Sequence, residues 1–301
     1  MDLSNWLQEA GYFTSFTVTL NRYAMEIARE RNGVRSLSVA MTTSNLAISL
    51  SRTGSMQEAL RLHAQAVSLL DAKGVVNPET QTCRTNYALC LLQCGQVEAA
   101  QQMLTKLAAA QSKSIGEDHP DTISTLMSLA IAHSMQDDQK AALEGFKTGL
   151  AATQSRYGRF HPATAGALSN LGIALKRSGD LSAAMASYEQ ALAIYKQSLG
   201  PDHPETLMVL NNQATLLRDA GDLHRAEVLY RKALAGCERT FGEGHPDTAD
   251  TLSNLAVLLQ MTGDREAAIT CLRRALATLN NVYGASHPDT EWTAQRLVAL
   301  A

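Results

Sequence analysis

Hydrophobic and polar residues alternate with helical spacing along most of the chain. Between residues 162 and 178, apolar side chains recur three or four positions apart, at Leu168, Leu171 and Leu175. A Gly-Asp pair interrupts the pattern, and a second apolar series follows with Ala184 and Tyr188. Apolar residues at this spacing place one hydrophobic face on each helix. The pattern therefore predicts two amphipathic helices joined by a tight turn.

This two-helix unit recurs along the chain with a period of 42 residues. A His-Pro step opens five of the predicted first helices, where the missing N–H of proline costs nothing. These steps begin at His119, His161, His203, His245 and His287. A glycine is expected to make the turn between the two helices, and a further glycine is expected to end the second helix as a left-handed cap. The turn positions are Gly54, Gly95, Gly179, Gly221 and Gly263, with Asp137 in the remaining place.

The repeats divide the chain into three parts. Residues 1–33 are expected to form a clipped N-terminal repeat, in which Leu3, Ser4 and Leu7 end a first helix. Residues 34–286 hold six complete repeats of about 42 residues, and residues 287–301 form a C-terminal capping half-repeat. Terminal repeats of such arrays are usually atypical because one of their faces meets water.

The repeat resembles the tetratricopeptide repeat (TPR) in its order of small and large residues. The matching positions are Leu168, Leu171, Gly172, Leu175, Gly179, Ala184, Tyr188 and Ala191. The 42-residue length and the Gly-x-x-His-Pro-x-Thr link resemble the kinesin light chain type. The resemblance implies an all-α fold, a right-handed α-solenoid superhelix of helix-turn-helix units. It also implies a scaffold or adaptor that binds a peptide segment of a partner protein in the concave groove.

An asparagine ladder runs along the predicted first helices. Its members are Asn45, Asn86, Asn170, Asn212 and Asn254, with Ser128 and Arg296 at the two other places. The TPR resemblance implies that these positions face the groove, where an amide can pair with both the N–H and the C=O of a peptide. A purely structural role, in which each asparagine bonds a neighbouring helix, is the alternative.

Basic residues accompany this ladder. Lys176, Arg177 and Arg218 lie one turn beyond Asn170 and Asn212. Together with Arg296 they are expected to make the groove locally positive. Kinesin light chains similarly use a basic groove to bind peptides with a tryptophan beside acidic residues, so an acidic peptide is the expected partner. Two carboxylates nearby, Asp219 and Asp250, oppose that expectation.

Composition and charge narrow the classes of protein to which the chain can belong. A net charge of −3 argues against a broad nucleic-acid surface. The N-terminus lacks a signal-peptide pattern, and no apolar run approaches the ~20 residues of a membrane helix. An odd number of cysteines, five, fits a reducing compartment. We therefore expect a cytoplasmic protein that binds neither nucleic acid nor membrane.

No catalytic, metal or cofactor site is expected. Histidines that occur once per repeat stand ~8–10 Å or more apart, which is too far to share one ion. Cys83, Cys90 and Cys94 share a helix face but lack metal-ligand spacing, and His63 and His133 are expected to be buried and hydrogen-bonded. The main alternative function is an oligomerising or regulatory segment that stacks through its open ends. An enzyme is the third hypothesis, and the oligomeric state is left open.

Overall fold

The computed structural model describes residues 13–52, 55–74, 77–285 and 287–300. Within these ranges the chain forms fourteen α-helices and no strand, so the predicted all-α fold is confirmed. The end of a first helix predicted at Leu3, Ser4 and Leu7 lies outside the described residues. The helices are α1 (Phe13–Asn32), α2 (Leu37–Arg52), α3 (Met56–Lys73), α4 (Pro78–Gln93), α5 (Val97–Ile115), α6 (Pro120–Met135), α7 (Gln139–Tyr157), α8 (Pro162–Arg177), α9 (Leu181–Ser198), α10 (Pro204–Asp219), α11 (Leu223–Phe241), α12 (Pro246–Thr262), α13 (Arg265–Tyr283) and α14 (Pro288–Leu300).

The chain divides into two compact units. Unit 1 is Met1–Arg156 and contains α1 to α6 with nearly all of α7, and unit 2 is Tyr157–Ala301 and contains α8 to α14. In each unit, consecutive helices pack against each other as antiparallel hairpins, and the hairpins stack side by side as in an α-solenoid. The even-numbered helices from α2 to α14 are the predicted first helices of the repeats, and the odd-numbered ones are the second helices.

The His-Pro step is a helix cap. The Nδ1 atom of His161 accepts the backbone N–H of Ala163 at 3.1 Å, and the proline after it occupies the first turn of α8. A ring from the preceding helix stacks on the histidine, as in the pair of Tyr157 and His161, whose centroids lie 4.8 Å apart. The same cap begins the later first helices, at His203, His245 and His287.

The threonine of the link closes the corner. Thr164 donates its hydroxyl to the carbonyl of Gly158 at 2.7 Å, and Thr206 does the same to Gly200 at 2.8 Å. Gly158 has a φ of +87°, which side-chain-bearing residues rarely adopt. The motif is therefore explained by backbone geometry, in which glycine makes the turn, histidine caps the helix and threonine ties the two together.

The turn inside the α8–α9 hairpin follows the same logic. Gly179 has a φ of +87°, and the next residue, Asp180, accepts the backbone N–H of Ala183 as the cap of α9. Asp137, which takes the glycine place in its repeat, also adopts a left-handed φ, +62°. Aspartate tolerates that conformation better than most residues, so the turn is preserved without glycine.

Small residues let the two helices of a hairpin approach closely. A Cβ atom on Gly172 of α8 would lie 2.6 Å from Cε1 of Tyr188 on α9, and Tyr188 is itself fully buried. The alanines at the corresponding place, Ala214 and Ala256, are also fully buried. Around Ala214 and Ala256 the core of unit 2 is built from Leu217, Ala226, Tyr230, Leu255, Leu259, Ala268 and Leu272.

Candidate functional site

One stripe on the first helices of unit 2 is the candidate binding site. On each helix it consists of residues four, three and four positions apart, which share a face because the helix turns every 3.6 residues. We call this stripe the first-helix surface. Its partly or fully exposed members are Asn170, Ile173 and Arg177 on α8, Met208, Asn212, Thr215 and Asp219 on α10, Asp250, Asn254, Val257 and Met261 on α12, and Trp292 and Arg296 on α14.

The asparagines of the ladder lie at the centre of this surface. Asn170, Asn212 and Asn254 are each half-buried. Within the described part of the chain, the side chains of Asn170 and Asn212 make no hydrogen bond. Asn254 donates from Nδ2 to Oδ1 of Asn211 on α10 at 3.4 Å. The structural role therefore applies to Asn254, while the other two amides retain their donors and acceptors.

The predicted cations form one edge of the first-helix surface, at the C-terminal ends of α8 and α10. Lys176 Nζ lies 2.6 Å from Oδ2 of Asp219, and Arg218 lies 2.8 Å from Oδ1 of the same residue. Burial alone would raise the pKa of Asp219, but hydrogen bonds from Lys176 and Arg218 hold it below its usual value. Lys176 and Arg218 are thus two cations against one carboxylate, so this edge is positive but not an unopposed positive patch.

The opposite edge, at the N-terminal ends of α10, α12 and α14, is acidic. Asp250 on α12 is exposed at the surface, but the surrounding protein still limits its hydration. Desolvation, with repulsion from Asp289 and Asp247, raises the pKa of Asp250 to about 6. A pocket of about 270 Å³ opens here between α10 and α12, lined by Met208, Asn211, Phe241 and Asp250 among others.

Arg296 is bound within the chain. Its guanidinium donates to Oε1 of Gln260 on α12 at 2.8 and 3.2 Å and lies 5.3 Å from the centre of the Trp292 ring. It therefore links α14 to α12, as Lys176 and Asn254 link the earlier helices. Cross-links of this kind fix the spacing of the first helices and preform the surface.

Three apolar residues of the first-helix surface were not among the site residues predicted from the sequence. Met208, Met261 and Trp292 are 46 %, 54 % and 44 % exposed, which is high for such large side chains. Their positions in the repeat could have predicted them, because each lies four residues before or seven residues after a position of the asparagine ladder. Ile173, on the same stripe of α8, is likewise 42 % exposed.

Unit 1 carries the remaining predicted residues. Asn45 on α2 is exposed and Asn86 on α4 is half-buried, and no side-chain hydrogen bond of either occurs within the described residues. Ser128 on α6, at the same ladder position, is buried and donates to the carbonyl of Ser124. Ile131, three residues later, is 37 % exposed. Unit 1 therefore has its own exposed stripe, with fewer charges.

The histidines and cysteines set aside above are placed as follows. His63 is buried, but its Nδ1 finds no partner among the described residues, so the expected hydrogen bond is absent there. His133 is half-buried and pairs with Gln101 at 3.4 Å. Cys83 and Cys90 are buried and Cys94 is half-buried.

Among the described residues, no three acidic, histidine or cysteine side chains are grouped as metal ligands. None of the described helices combines the length and apolarity needed to cross a membrane.

Family models match most of the chain. One tetratricopeptide repeat model matches residues 80–155, 186–239 and 205–281, and a second matches residues 39–70 and 164–205. A search among curated proteins gave no match.

Solved structures share the fold at low sequence identity. Repeats of a putative kinesin light chain from Podosopora anserina are 24 % identical with a TM-score of 0.56, covering 69 % of this chain and 98 % of that one. A Rap protein complexed with Competence and Sporulation Factor is 12 % identical with a TM-score of 0.60, covering 96 % and 85 %. Cut9, from the APC/C hetero-tetramer Cut9–Hcn1, is 14 % identical with a TM-score of 0.61, covering 94 % and 47 %.

Proposed function

Because this chain belongs to the tetratricopeptide repeat family, we propose that it is a scaffold that binds an extended segment of a partner protein on the first-helix surface. Tetratricopeptide repeat proteins are generally non-enzymatic, and no catalytic step is part of the proposal. Two of the structures with a similar fold are complexes, the APC/C hetero-tetramer Cut9–Hcn1 and a Rap protein with Competence and Sporulation Factor. These complexes support a protein or peptide ligand.

The observation that carries the proposal is the pair of amides on Asn170 and Asn212. Both are half-buried, and neither has a side-chain hydrogen bond within the described residues. An amide offers one acceptor oxygen and two donor hydrogens, so it can bond both polar groups of an extended peptide backbone. Each such bond contributes about 1 kcal/mol. Because cross-links already hold the first helices in place, the ordering cost falls on the peptide.

The side chains around the amides indicate the composition of the ligand. Ile173, Met208 and Trp292 offer apolar contact on either side of the amides. Lys176 and Arg218 together carry one more positive charge than Asp219 balances, and the edge with Asp250 carries negative charge. We infer a segment with apolar anchors and acidic residues that lie over the Lys176 edge.

The proposal is tested by selecting peptides from a random library displayed on phage against the purified chain. The dissociation constants of synthetic copies are then measured by calorimetry. A variant with Asn170→Ala, Asn212→Ala and Asn254→Ala is expected to bind about 25-fold more weakly, at about 1 kcal/mol for each of the hydrogen bonds lost from Asn170 and Asn212.

A matched control removes three exposed amides from second helices, with Gln190→Ala, Gln197→Ala and Asn280→Ala. This control is expected to bind like the original chain. Circular dichroism verifies that both triple variants are folded. If the two variants lose affinity equally, or neither loses it, the first-helix surface is not the site.

The exposed face of α14 favours a second candidate function, self-association by stacking. Val298 is 77 % exposed, which is unusual for a large aliphatic residue on a helix. If α14 stacks on another copy, the mass in solution will rise with concentration, and Val298→Asp will abolish the rise. A constant monomer mass across the concentration range rules out this function.

A further inference from the structure

An apolar cluster of unit 2 has a polar counterpart in unit 1. In unit 2, Leu252 on α12 packs between the second helices α11 and α13, with Ala249, Ala275 and Leu279. Four periods of 42 residues earlier, the places of Ala249, Leu252 and Leu279 are held by Gln81, Arg84 and Gln111. The repeat formed by α4 and α5 therefore has polar side chains where the later repeat is filled by hydrocarbon.

A cavity of about 480 Å³ lies at this place. Its walls come from α3 and α5, and its floor is α4. Val67, Met103 and Leu107 line the apolar walls, while Gln81 and Arg84 form the floor. The Arg84 side chain is directed to Asp71 on α3, and the cavity remains open beside it, at the place that Leu252 fills in the other repeat. Ligand pockets in proteins typically measure ~300–1,000 Å³.

The polar floor of the cavity is only partly satisfied within the chain. Arg84 Nη2 donates to Oδ1 of Asp71 at 2.8 Å, and both residues line the cavity. Gln81 is only 5 % exposed, and its Oε1 has no hydrogen-bond partner among the described residues. An unsatisfied buried polar group costs ~1–3 kcal/mol. The Gln81 oxygen is therefore available to accept a hydrogen bond from a bound molecule.

Charge defines the other property of the ligand. The charged residues that line the cavity are Asp71, Arg84 and Lys106, which leave an excess of one positive charge. Lys106 is exposed and forms no ion pair within the described residues, so it is available at the mouth. We propose that this cavity binds a small amphipathic anion whose apolar body lies between α3 and α5. Its hydrogen-bond donor reaches Gln81, and its negative charge lies beside Lys106.

This site is independent of the peptide surface, because all of its residues belong to unit 1. Anilinonaphthalene sulfonate is a suitable probe, since it combines an aromatic body, one N–H donor and one negative charge. Its partner probe is phenoxynaphthalene sulfonate, which keeps both aromatic groups and the negative charge but has an ether oxygen in place of the N–H. Both probes are titrated into the full chain. Calorimetry measures the binding of each probe, and fluorescence also measures the binding of anilinonaphthalene sulfonate.

Saturable binding of anilinonaphthalene sulfonate is expected, with phenoxynaphthalene sulfonate binding about tenfold more weakly for the lost hydrogen bond. The variant Gln81→Leu with Arg84→Leu restores apolar side chains and fills the cavity. It is expected to bind the first probe at least about tenfold more weakly. The matched control is Thr43→Leu, which fills the separate cavity of about 610 Å³ over α2. This control is expected to bind like the original chain.

Circular dichroism shows whether each variant is folded. If the double variant does not fold, Lys106→Ala serves in its place, because this exposed residue can be changed without disturbing the core, and weaker binding of both anions is expected. The proposal is overturned if the original chain shows no saturable binding. It is also overturned if the cavity-filling variant, or Lys106→Ala in its place, binds the probe as tightly as the Thr43→Leu control.

Discussion

The ammonium of Lys176 lies 2.6 Å from the carboxylate of Asp219, which joins the C-terminal ends of α8 and α10. Asp219 also accepts two hydrogen bonds from Arg218, at 2.8 and 3.0 Å. One carboxylate thus holds two of the cations that the sequence assigned to ligand binding. The charge available to a partner is set by this group as much as by the basic residues.

Removing this carboxylate is expected to strengthen binding of acidic peptides. Asp219→Asn leaves Lys176 and Arg218 without their shared anion, so peptides selected for acidic residues should bind about fivefold more tightly at low salt. The loss of unfolding free energy should be about 1 kcal/mol or less, since the pair is partly exposed. Calorimetry at two salt concentrations measures the affinity. Glu189→Gln, on α9, is the control, and an equal gain there would show that only net charge matters.

His63 makes the stability of the chain depend on pH. Burial lowers its pKa from 6.5 to about 4. The unfolded chain therefore binds a proton more readily, so His63 supports folding fully above pH 6.5, and this contribution is lost as the pH falls toward 4. The loss amounts to about 3 kcal/mol. Denaturant unfolding from pH 7 to pH 4 measures it.

The matched variant for this test is His63→Leu. Leu104 occupies the corresponding place in the next repeat and is fully buried, so leucine suits the site. The fall in stability of the variant below pH 6.5 should be smaller by the contribution of His63. Identical pH profiles for the two chains would show that folding does not lower the pKa of His63.

Asp250 has the opposite dependence. Its pKa is raised to about 6 by desolvation and by the carboxylates of Asp289 and Asp247. The native state therefore favours the protonated form, and ionisation of Asp250 weakens folding as the pH rises through 6. Asp250→Asn should raise the melting temperature at pH 7.5, and the difference should close by pH 4. An equal difference in melting temperature at pH 7.5 and at pH 4 would show that the effect of the substitution does not come from the ionisation of Asp250.

Gly172 is required by packing rather than by backbone conformation. The helix preference of alanine over glycine would add about 1 kcal/mol to the unfolding free energy. However, the new Cβ would lie 2.6 Å from the ring of Tyr188, which is enclosed on all sides. Overpacking of this kind costs ~1–3 kcal/mol, so Gly172→Ala should destabilise the chain on balance. Chemical denaturation measures the change.

Gly244→Ala is the control for that experiment. A Cβ on Gly244 meets nothing within 4 Å, so its effect should stay within about 0.5 kcal/mol. A stabilised Gly172→Ala variant would mean that the α8–α9 hairpin can open to admit a methyl group.

The regular part of the fold was predictable because it depends on local rules. The cap at His161, the turn at Gly179 and its substitute Asp137 all act within a few residues of chain, so a period in the sequence reveals them. The pairing of Lys176 with Asp219 was less predictable. It joins residues 43 positions apart and depends on how far neighbouring first helices stand from each other. Sequence spacing places the two on one surface but does not show their contact.

The cavity over α4 was missed for a different reason. The predicted site consists of residue types that recur from repeat to repeat, whereas Gln81 and Arg84 are exceptions to the repeat. Their signal was present, since Arg84 stands where Leu168, Leu210 and Leu252 stand in later repeats. A single polar residue at a position that is otherwise leucine is equally consistent with an exposed side chain and with a buried side chain that has a polar partner. Only the packing of α3 and α5 shows that an open space results.

The central claim is that Asn170 and Asn212 bind the backbone of a partner segment. The most direct measurement is the affinity of one selected peptide for the original chain and for Asn170→Ala and Asn212→Ala, singly and together. Because the two amides bond different peptide groups, each single variant should bind about fivefold more weakly and the double variant about 25-fold more weakly. Unchanged affinity in the folded double variant would contradict the claim.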